Sequence, residues 1–371
     1  MVTPSKRAYT RRHTLRAIGA GAVAAVGSQR VTAQNSPNAT PPRRALVLGG
    51  GSIKGAYQAG VIRTLLNSGF KPDYLYGISV GSLNAAFLAD RASFLGKTKS
   101  EYFTALGDSQ LPPSTSTNQG EFVTWEFLGD ELVSFWLEKI TSPSSLIRHT
   151  DKVGNLFNIL TNNFDGLVSV GPLRELVAKT LKRERLVASP IPTAIGAVNI
   201  DTAALVFAQK DDVYFREFII ASTAIPLAMP IVMIPDGPDK GRYCDGSVKT
   251  ILPIKYATDS GPANRFISIA CQPVSQTYTP LKNPKNVIQL LQRASDIAAD
   301  DVIYHDFAYA DKPPKKIVLI RPGQPISLEI HNPDLEITEF SQADIRAMIE
   351  LGRLSAQAKI KSGELDDGFL D

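Results

Sequence analysis

The 371-residue chain is 43% hydrophobic and 20% charged, a globular mix that allows one large or two ordinary domains and excludes a fibrous or wholly disordered protein. Its net charge of +4 misleads about partners, because 6 of the 40 basic residues crowd into the first 33 positions, where there is no acid. The other 40 − 6 = 34 basic groups face 36 acidic ones, so support for nucleic-acid binding disappears.

The basic segment has an order of its own. Thr10-Arg11-Arg12-His13-Thr14-Leu15-Arg16 precedes an apolar run rich in Ala and Gly from Ala17 to Val26, and then Val31-Thr32-Ala33, a small-residue cleavage site. Residues 1–33 therefore read as a twin-arginine-type export signal, with a periplasmic or secreted chain beginning at Gln34. The run is too short and glycine-rich for a transmembrane helix, and no other stretch approaches about 18 apolar residues. Residues 34–44 are a polar, proline-containing lead-in.

Ala45–Leu48 is a short apolar run of the kind a buried parallel strand shows, and it ends in Gly49-Gly50-Gly51. Ala56, Ala59, Ile62, Leu65 and Leu66 recur at helical spacing, with Gly69 placed to end the helix. A second strand, Tyr74–Ile78, runs into Gly77-Ile78-Ser79-Val80-Gly81 and a helix carrying Leu83, Ala86, Phe87 and Ala89. Strand, glycine loop, helix, strand, turn, helix is the order of a parallel α/β sheet with its loops at the carboxyl ends of the strands. After a Ser/Thr/Pro-rich loop at 108–120, Leu132, Phe135, Trp136 and Ile140 form a helical stripe, read as core packing or as the wall of a lid. Pro172 opens another helix, Thr193–Ile200 and Ala203–Phe207 make a hairpin around Asp201, and a helix from Phe215 to Thr223 breaks at Pro226. Further strands are expected at Phe266–Cys271 and Lys316–Ile320, and a long helix at Val287–Tyr309. A final helix runs from Ser341 to about Lys361, before Gly363.

Gly77-Ile78-Ser79-Val80-Gly81 has the G-x-S-x-G form of a nucleophile elbow, in which a tight strand-to-helix turn leaves the serine hydroxyl exposed at a helix N-terminus. An ordinary glycine-rich turn fits the same five residues, so the companion stretches matter. Gly49 to Gly55, GGGSIKG, lies between a strand and a helix, where backbone N–H groups and the helix end suit a phosphate or a developing oxyanion. It is not a P-loop, since the chain's one Gly-Lys pair, Gly96-Lys97, follows no strand; nor does Asp73, at the start of a strand, suit a dinucleotide site. Tyr243-Cys244-Asp245-Gly246-Ser247 places an acid beside a glycine at the end of a short run.

Together, the glycine loop with its KGAYQAGV continuation, the GISVG turn, Ala221-Ser222-Thr223-Ala224-Ile225-Pro226 and the late Asp245-Gly246 resemble the patatin-like phospholipase family, over about Ala45 to Pro253. The resemblance implies a three-layer α/β fold with helices on both faces of a parallel sheet. With no polar linker dividing the body, one domain of this patatin-like type is expected over 45–322, followed at 323–371 by a C-terminal extension whose last helix packs on it. The resemblance further implies a lipid acyl hydrolase in which Ser79 is the nucleophile and Asp245 the general base. Gly50, Gly51 and Ser52 would supply the oxyanion donors, and Lys54, Gly55, Gly77, Gly81 and Gly246 would support the geometry. The expected partner is a lipid or other acyl ester, with transient membrane-surface contact, no cofactor and no metal. Two residues depart from the family's pattern. Ser52 stands where the family has its third glycine, so a positive φ there would strain the loop, and Ser247 stands where the family has Gly or Ala.

Other readings stay open at this point. Ser79, Asp245 and His305 occur in the chain order of an α/β-hydrolase triad, although His305 falls inside the expected long helix and His149 and His331 have less context still. An exported lipid-binding protein on the same fold, or an acyltransferase, would carry the same motifs. Cys244 and Cys271 are too few for a framework or a zinc site and read as buried free thiols, though an oxidising destination would permit one disulfide.

Overall fold

The computed structural model describes residues 43–107, 121–149, 166, 168–226, 228–273, 315–324, 326, 340–366 and 368–370. The expected export signal, the loop at 108–120, the helix expected over Val287–Tyr309 with His305, and His331 lie outside the described residues. Strand β1 (Arg44–Leu48) leads through the glycine loop into α1 (Gly55–Asn67), and β2 (Tyr74–Ile78) leads through Ser79 into α2 (Val80–Ala92). Gly69 takes φ 93° just past α1, a left-handed turn that glycine makes without strain. The chain continues with α3 (Lys99–Leu106), α4 (Trp125–Lys139), the short pair β3 (Arg148–His149) and β4 (Val168–Ser169), α5 (Gly171–Thr180) and α6 (Arg183–Ala188). Then come β5 (Thr193–Asn199), β6 (Leu205–Gln209), α7 (Phe215–Ser222), β7 (Val232–Ile234), β8 (Gly241–Asp245), α8 (Ile254–Ser260), β9 (Arg265–Ile269), β10 (Lys316–Ile320) and α9 (Gln342–Lys361). Ser341 starts α9 with a capping box closed by Asp344. No helix among the described residues is long and apolar enough to cross a membrane.

The strands β10, β9, β1, β2 and β5 pair in parallel, in that order. At β5 the sheet becomes mixed. Antiparallel β6 takes one edge of β5 over residues 194–198, so the opposite edge is divided between two strands. Parallel β2 lies beside residues 193–196 and antiparallel β8 beside residues 197–199. β7 then pairs antiparallel with β8.

Side chains of β1 alternate between two cores, as the period of a strand buried on both faces requires. Leu46 and Leu48 join the larger cluster with α1, α2, α4 and α9, while Ala45 and Val47 pack with Leu252, Ile254 and Ala257 near α8. These are the helical layers on both faces of the sheet. The stripe Leu132, Phe135, Trp136 and Ile140 is wholly buried in the larger cluster, so it is core and not a lid.

Two devices lock the helical layer. On α2, buried Asp90 accepts from Arg185 Nε at 2.8 Å and from the Lys182 N–H at 2.8 Å, and is also paired with Arg91, which ties α2 to α6 and to the end of α5. Such a buried charge contributes because both carboxylate oxygens are hydrogen-bonded to donors, two of them cationic, since burying the charges alone is costly. The second device is the crossing of α1 and α9 at glycines: a Cβ on Gly60 would meet the Ile349 carbonyl, and one on Gly352 the Tyr57 carbonyl. Backbone cannot yield as a flexible side chain would. Gly60→Ala and Gly352→Ala are each expected to lower the free energy of unfolding in urea by about 2 kcal/mol or more. Gly323→Ala, where an added Cβ meets nothing, should be near neutral and serves as the control.

Candidate active site

β2 ends at Ile78 opposite Gly196, and β8, running the other way, ends at Asp245 opposite Ala197. Both strands lie along one edge of β5, so their ends meet head to head. Ser79 and Asp245, 166 residues apart in sequence, are thereby brought together, with Ser79 Oγ donating to Asp245 Oδ2 at 2.8 Å. Both side chains are buried, at 5% and 3% exposure.

Ser79 itself takes φ 52°, ψ −127°, a conformation that costs a non-glycine residue on the order of 1–3 kcal/mol. The turn around it leaves no room for side chains. A Cβ on Gly77 would lie 2.6 Å from the Gly81 oxygen, and one on Gly81 would strike the Leu48 carbonyl. A Cβ on Gly246 would lie 2.6 Å from the Gly196 oxygen and 2.7 Å from Ile78 Cδ1. Gly55 is closed off in the same way by Val80 and Trp136. At each of these four positions a side chain would clash with backbone or a packed neighbour.

The elbow is held by a residue whose role the sequence did not single out. The Ser79 N–H donates to Ser222 Oγ at 2.9 Å, and Ser222 Oγ donates to the Gly196 carbonyl at 2.6 Å. Its one proton being used there, Ser222 accepts from Ser82 Oγ at 2.7 Å. Ser222 is fully buried at the end of α7, and two residues later the Ala224 carbonyl accepts the Asp245 N–H at 2.9 Å. The Ala221–Pro226 segment thus clasps both the serine and the aspartate. Its place in the motif was visible in sequence, but its hydrogen bonds were not.

The glycine loop runs beside the serine: a Cβ on Gly50 would sit 3.2 Å from Ser79 Cβ and would collide with Ser247 Oγ. The expected set of three oxyanion donors needs correction. The Gly50 N–H is already spent on the Ile251 carbonyl at 2.7 Å, as the Gly49 N–H is on Ile269 at 3.0 Å. Among the described residues the Gly51 and Ser52 N–H groups have no partner. Ser52 adopts φ 52°, the strained case anticipated for a serine there, and is exposed. Gly51 packs so closely on Cys271 that a Cβ would lie 2.5 Å from that residue's own Cβ. Both cysteines are free and buried, and burial pushes the Cys271 thiol up to about 12, so it stays protonated. Lys54 supports the loop through its backbone, its N–H donating to the Gly51 carbonyl at 3.1 Å and its carbonyl accepting from Cys271 Sγ at 3.5 Å. Its ammonium has no hydrogen bond or ion pair among the described residues.

Behind the loop lies a buried polar chain. Trp136 Nε1 donates to Asn84 Oδ1 at 2.9 Å, and Asn84 Nδ2 donates to the Gly55 carbonyl and to Gln58 Oε1, each at 3.0 Å. Gln58 Nε2 in turn donates to the Gly49 carbonyl at 2.7 Å. Every amide atom of Gln58 and Asn84 that is drawn into this chain faces a partner, which fixes both ends of the loop.

An α/β sheet with a strained serine elbow, a buried carboxylate on the serine and a free pair of backbone N–H groups defines the class of protein. A family model for patatin-like phospholipases matches residues 46–258, more than half of the chain, and the chain belongs to that family. An alignment 168 residues long, which covers 38% of this chain and 12% of the other, shows 27% identity to lysophospholipase NTE1 of Yarrowia lipolytica, so the chain spans only a small part of that protein's length. The crystal structure of VipD from Legionella pneumophila aligns with 87% of this chain and 67% of its own, at 12% identity and a TM-score of 0.37.

Asp245 carries the electrostatic tension of the site. Burial pushes its carboxyl up to about 6, against the opposing pull of the Ser247 N–H on Oδ1 at 2.7 Å and of the Ser79 hydroxyl. No cation pairs with it among the described residues. Its folded pKa lies above the ordinary aspartate value of about 3.8, so its contribution to stability is complete below that value and is lost as the pH rises through about 6. The loss amounts to about 3 kcal/mol. Asp245→Asn removes this dependence, so its stability relative to wild type should improve by about that much between about pH 4 and about pH 7 in chemical denaturation. Parallel pH curves for the two proteins would contradict a burial-driven shift.

Proposed function

We propose that the protein is a serine lipid acyl hydrolase, a phospholipase, lysophospholipase or esterase, that cleaves carboxylic esters through an acyl-enzyme with Ser79 and Asp245 as a dyad. The observation that carries this reading is the 2.8 Å hydrogen bond from Ser79 Oγ to a buried carboxylate. In the reaction Ser79 Oγ attacks the ester carbonyl while its proton passes to Asp245 Oδ2. The tetrahedral oxyanion is received by the Gly51 and Ser52 N–H groups, a contribution of about 3 kcal/mol per donor in such sites. Collapse breaks the bond to the alcohol, which leaves with the proton from Asp245. Water then attacks the acyl-serine, gives a proton to Asp245, and the proton returns to Ser79 as the carboxylic acid departs.

Ser79→Ala and Asp245→Asn are expected to lose activity by a factor of about a thousand or more against a panel of phospholipid, lysophospholipid, triacylglycerol and p-nitrophenyl esters. Equal turnover by wild type and Ser79→Ala would sink the reading. A fluorophosphonate probe should label Ser79 in the folded chain; no labelling would favour a lipid-binding protein instead. The base must be ionised, so kcat/KM should fall tenfold per pH unit below about 6, the value for the free enzyme.

The same reading takes residues 1–33 as a twin-arginine-type export signal, supported by the order of Arg11-Arg12, the apolar run and Val31-Thr32-Ala33. N-terminal sequencing of the exported protein should return Gln34 as its first residue; retention of Arg11-Arg12 would refute processing.

A further inference from the structure

Three successive carbonyls of the glycine loop each have a donor. The Gly49 carbonyl accepts from Gln58 Nε2 at 2.7 Å, the Gly51 carbonyl from the Lys54 N–H at 3.1 Å, and the Gly50 carbonyl between them from Gln272 Nε2 at 3.3 Å. The first two donors are local, on α1 and in the turn before it, whereas Gln272 is 222 residues away from Gly50, just past the end of β9. A carbonyl can accept only from the NH2 side of an amide, so the partner fixes which way the Gln272 carboxamide faces. Gln272 Oε1 is then a buried acceptor with no partner among the described residues, on a side chain only 5% exposed. Leaving such an atom unpaired costs free energy that a methionine or leucine in the same space would not cost. Filling space therefore does not account for an amide here, and the bond made by its other end does.

The consequence lies across the peptide plane. In a trans peptide the carbonyl and the N–H that follows it point in opposite directions, so whatever holds the Gly50 carbonyl also sets the direction of the Gly51 N–H. Both residues flanking this peptide are glycines, and without a Cβ on either side little local sterics opposes its rotation. The Ser52 N–H is aimed by a bond inside the turn, from Lys54 to the Gly51 carbonyl, but for the Gly51 N–H the holding donor comes from Gln272. We propose that Gln272 is a positioning residue that keeps the Gly50–Gly51 peptide from turning over and so presents the Gly51 N–H to the developing oxyanion. The proposal rests on the hydrolase reading, in which that N–H is one of two oxyanion donors.

Gln272→Met, similar in length and without a donor, tests it in the full chain. Its kcat/KM for a soluble p-nitrophenyl ester should fall by about tenfold or more, towards the hundredfold to thousandfold that loss of an oxyanion donor costs. A trifluoromethyl ketone adds to Ser79 through its carbonyl carbon, passes the serine proton to Asp245 and leaves the charge on its oxygen; its affinity should fall by the same factor. The corresponding secondary alcohol, which has no carbonyl to add to, should bind wild type and variant alike. The urea midpoint should stay near that of wild type, because the Gly50 carbonyl loses its donor as the unpaired oxygen disappears. If the methionine variant does not unfold cooperatively, Gln272→Leu, shorter and equally without a donor, takes its place. Retained kcat/KM in the folded variant overturns the proposal, as does an equal loss of affinity for the ketone and the alcohol, which would make Gln272 part of the pocket wall. A wild type that cleaves no ester and takes up no trifluoromethyl ketone defeats the hydrolase reading itself, and the proposal falls with it.

Discussion

One constraint organises the molecule: β2 and β8 approach from opposite directions along the same edge of β5 and stop on adjacent residues, Gly196 and Ala197. Two chain ends and the start of a helix must then share the space of one residue. That explains the density of glycine, since a Cβ at Gly77, Gly81, Gly196 or Gly246 would touch backbone or the end of Ile78. It also explains the strained φ of Ser79, which has to leave a strand and enter α2 without advancing into β8. Ser222 relieves the geometry by taking the Ser79 N–H and returning the bond to Gly196, the residue on which β2 ends.

Bringing a carboxylate to that point has a cost. Asp245 gives up water for two hydrogen bonds and no cation, so its charged form is disfavoured and its affinity for a proton rises. A cation beside that carboxylate would reverse the shift, since an opposite charge favours the ionised form. The fold places its strong ion pairs elsewhere, at Asp90 with Arg91 and Arg185, where they join helices and leave the site's electrostatics alone. The close contact of α1 with α9 likewise adds packing in the helical layer that α2 belongs to, which can offset strain at the elbow.

The half of the fold built on continuous apolar strands and helical periodicity was legible. Tyr74–Ile78, the helix after Ser79 and the C-terminal helix from its Ser341 cap fall where the pattern puts them. β7 and β8 were not legible as strands, because three residues of Val-Met-Ile and a run of Gly-Arg-Tyr-Cys-Asp carry too little periodicity. Since those strands are what turns the sheet antiparallel, a parallel sheet was the natural expectation and the mixed edge was not. Short α3, α6 and α8 escaped for the same reason. At the site, the identities of Ser79 and Asp245 came from motifs, but which amides are free depends on bonds to Ile251 and Ile269, remote carbonyls that no local pattern announces.

The glycine loop shows what the departure at Ser52 means. Suspicion fell on that residue because a side chain replaces a glycine, and the backbone there does take a positive φ. Yet the side chain is exposed, and the strain is of the order that Ser79 carries at the same φ, about 1–3 kcal/mol. The sterically closed positions are the two before it: Gly50, pressed against Ser79 and Ser247, and Gly51, pressed against Cys271. Glycine is indispensable where the loop touches Ser79 and the sheet, and optional where it opens to solvent. With the Gly50 N–H bound to Ile251, the Ser52 N–H is one of the two in this part of the loop without a partner among the described residues, and its hydroxymethyl group meets only solvent.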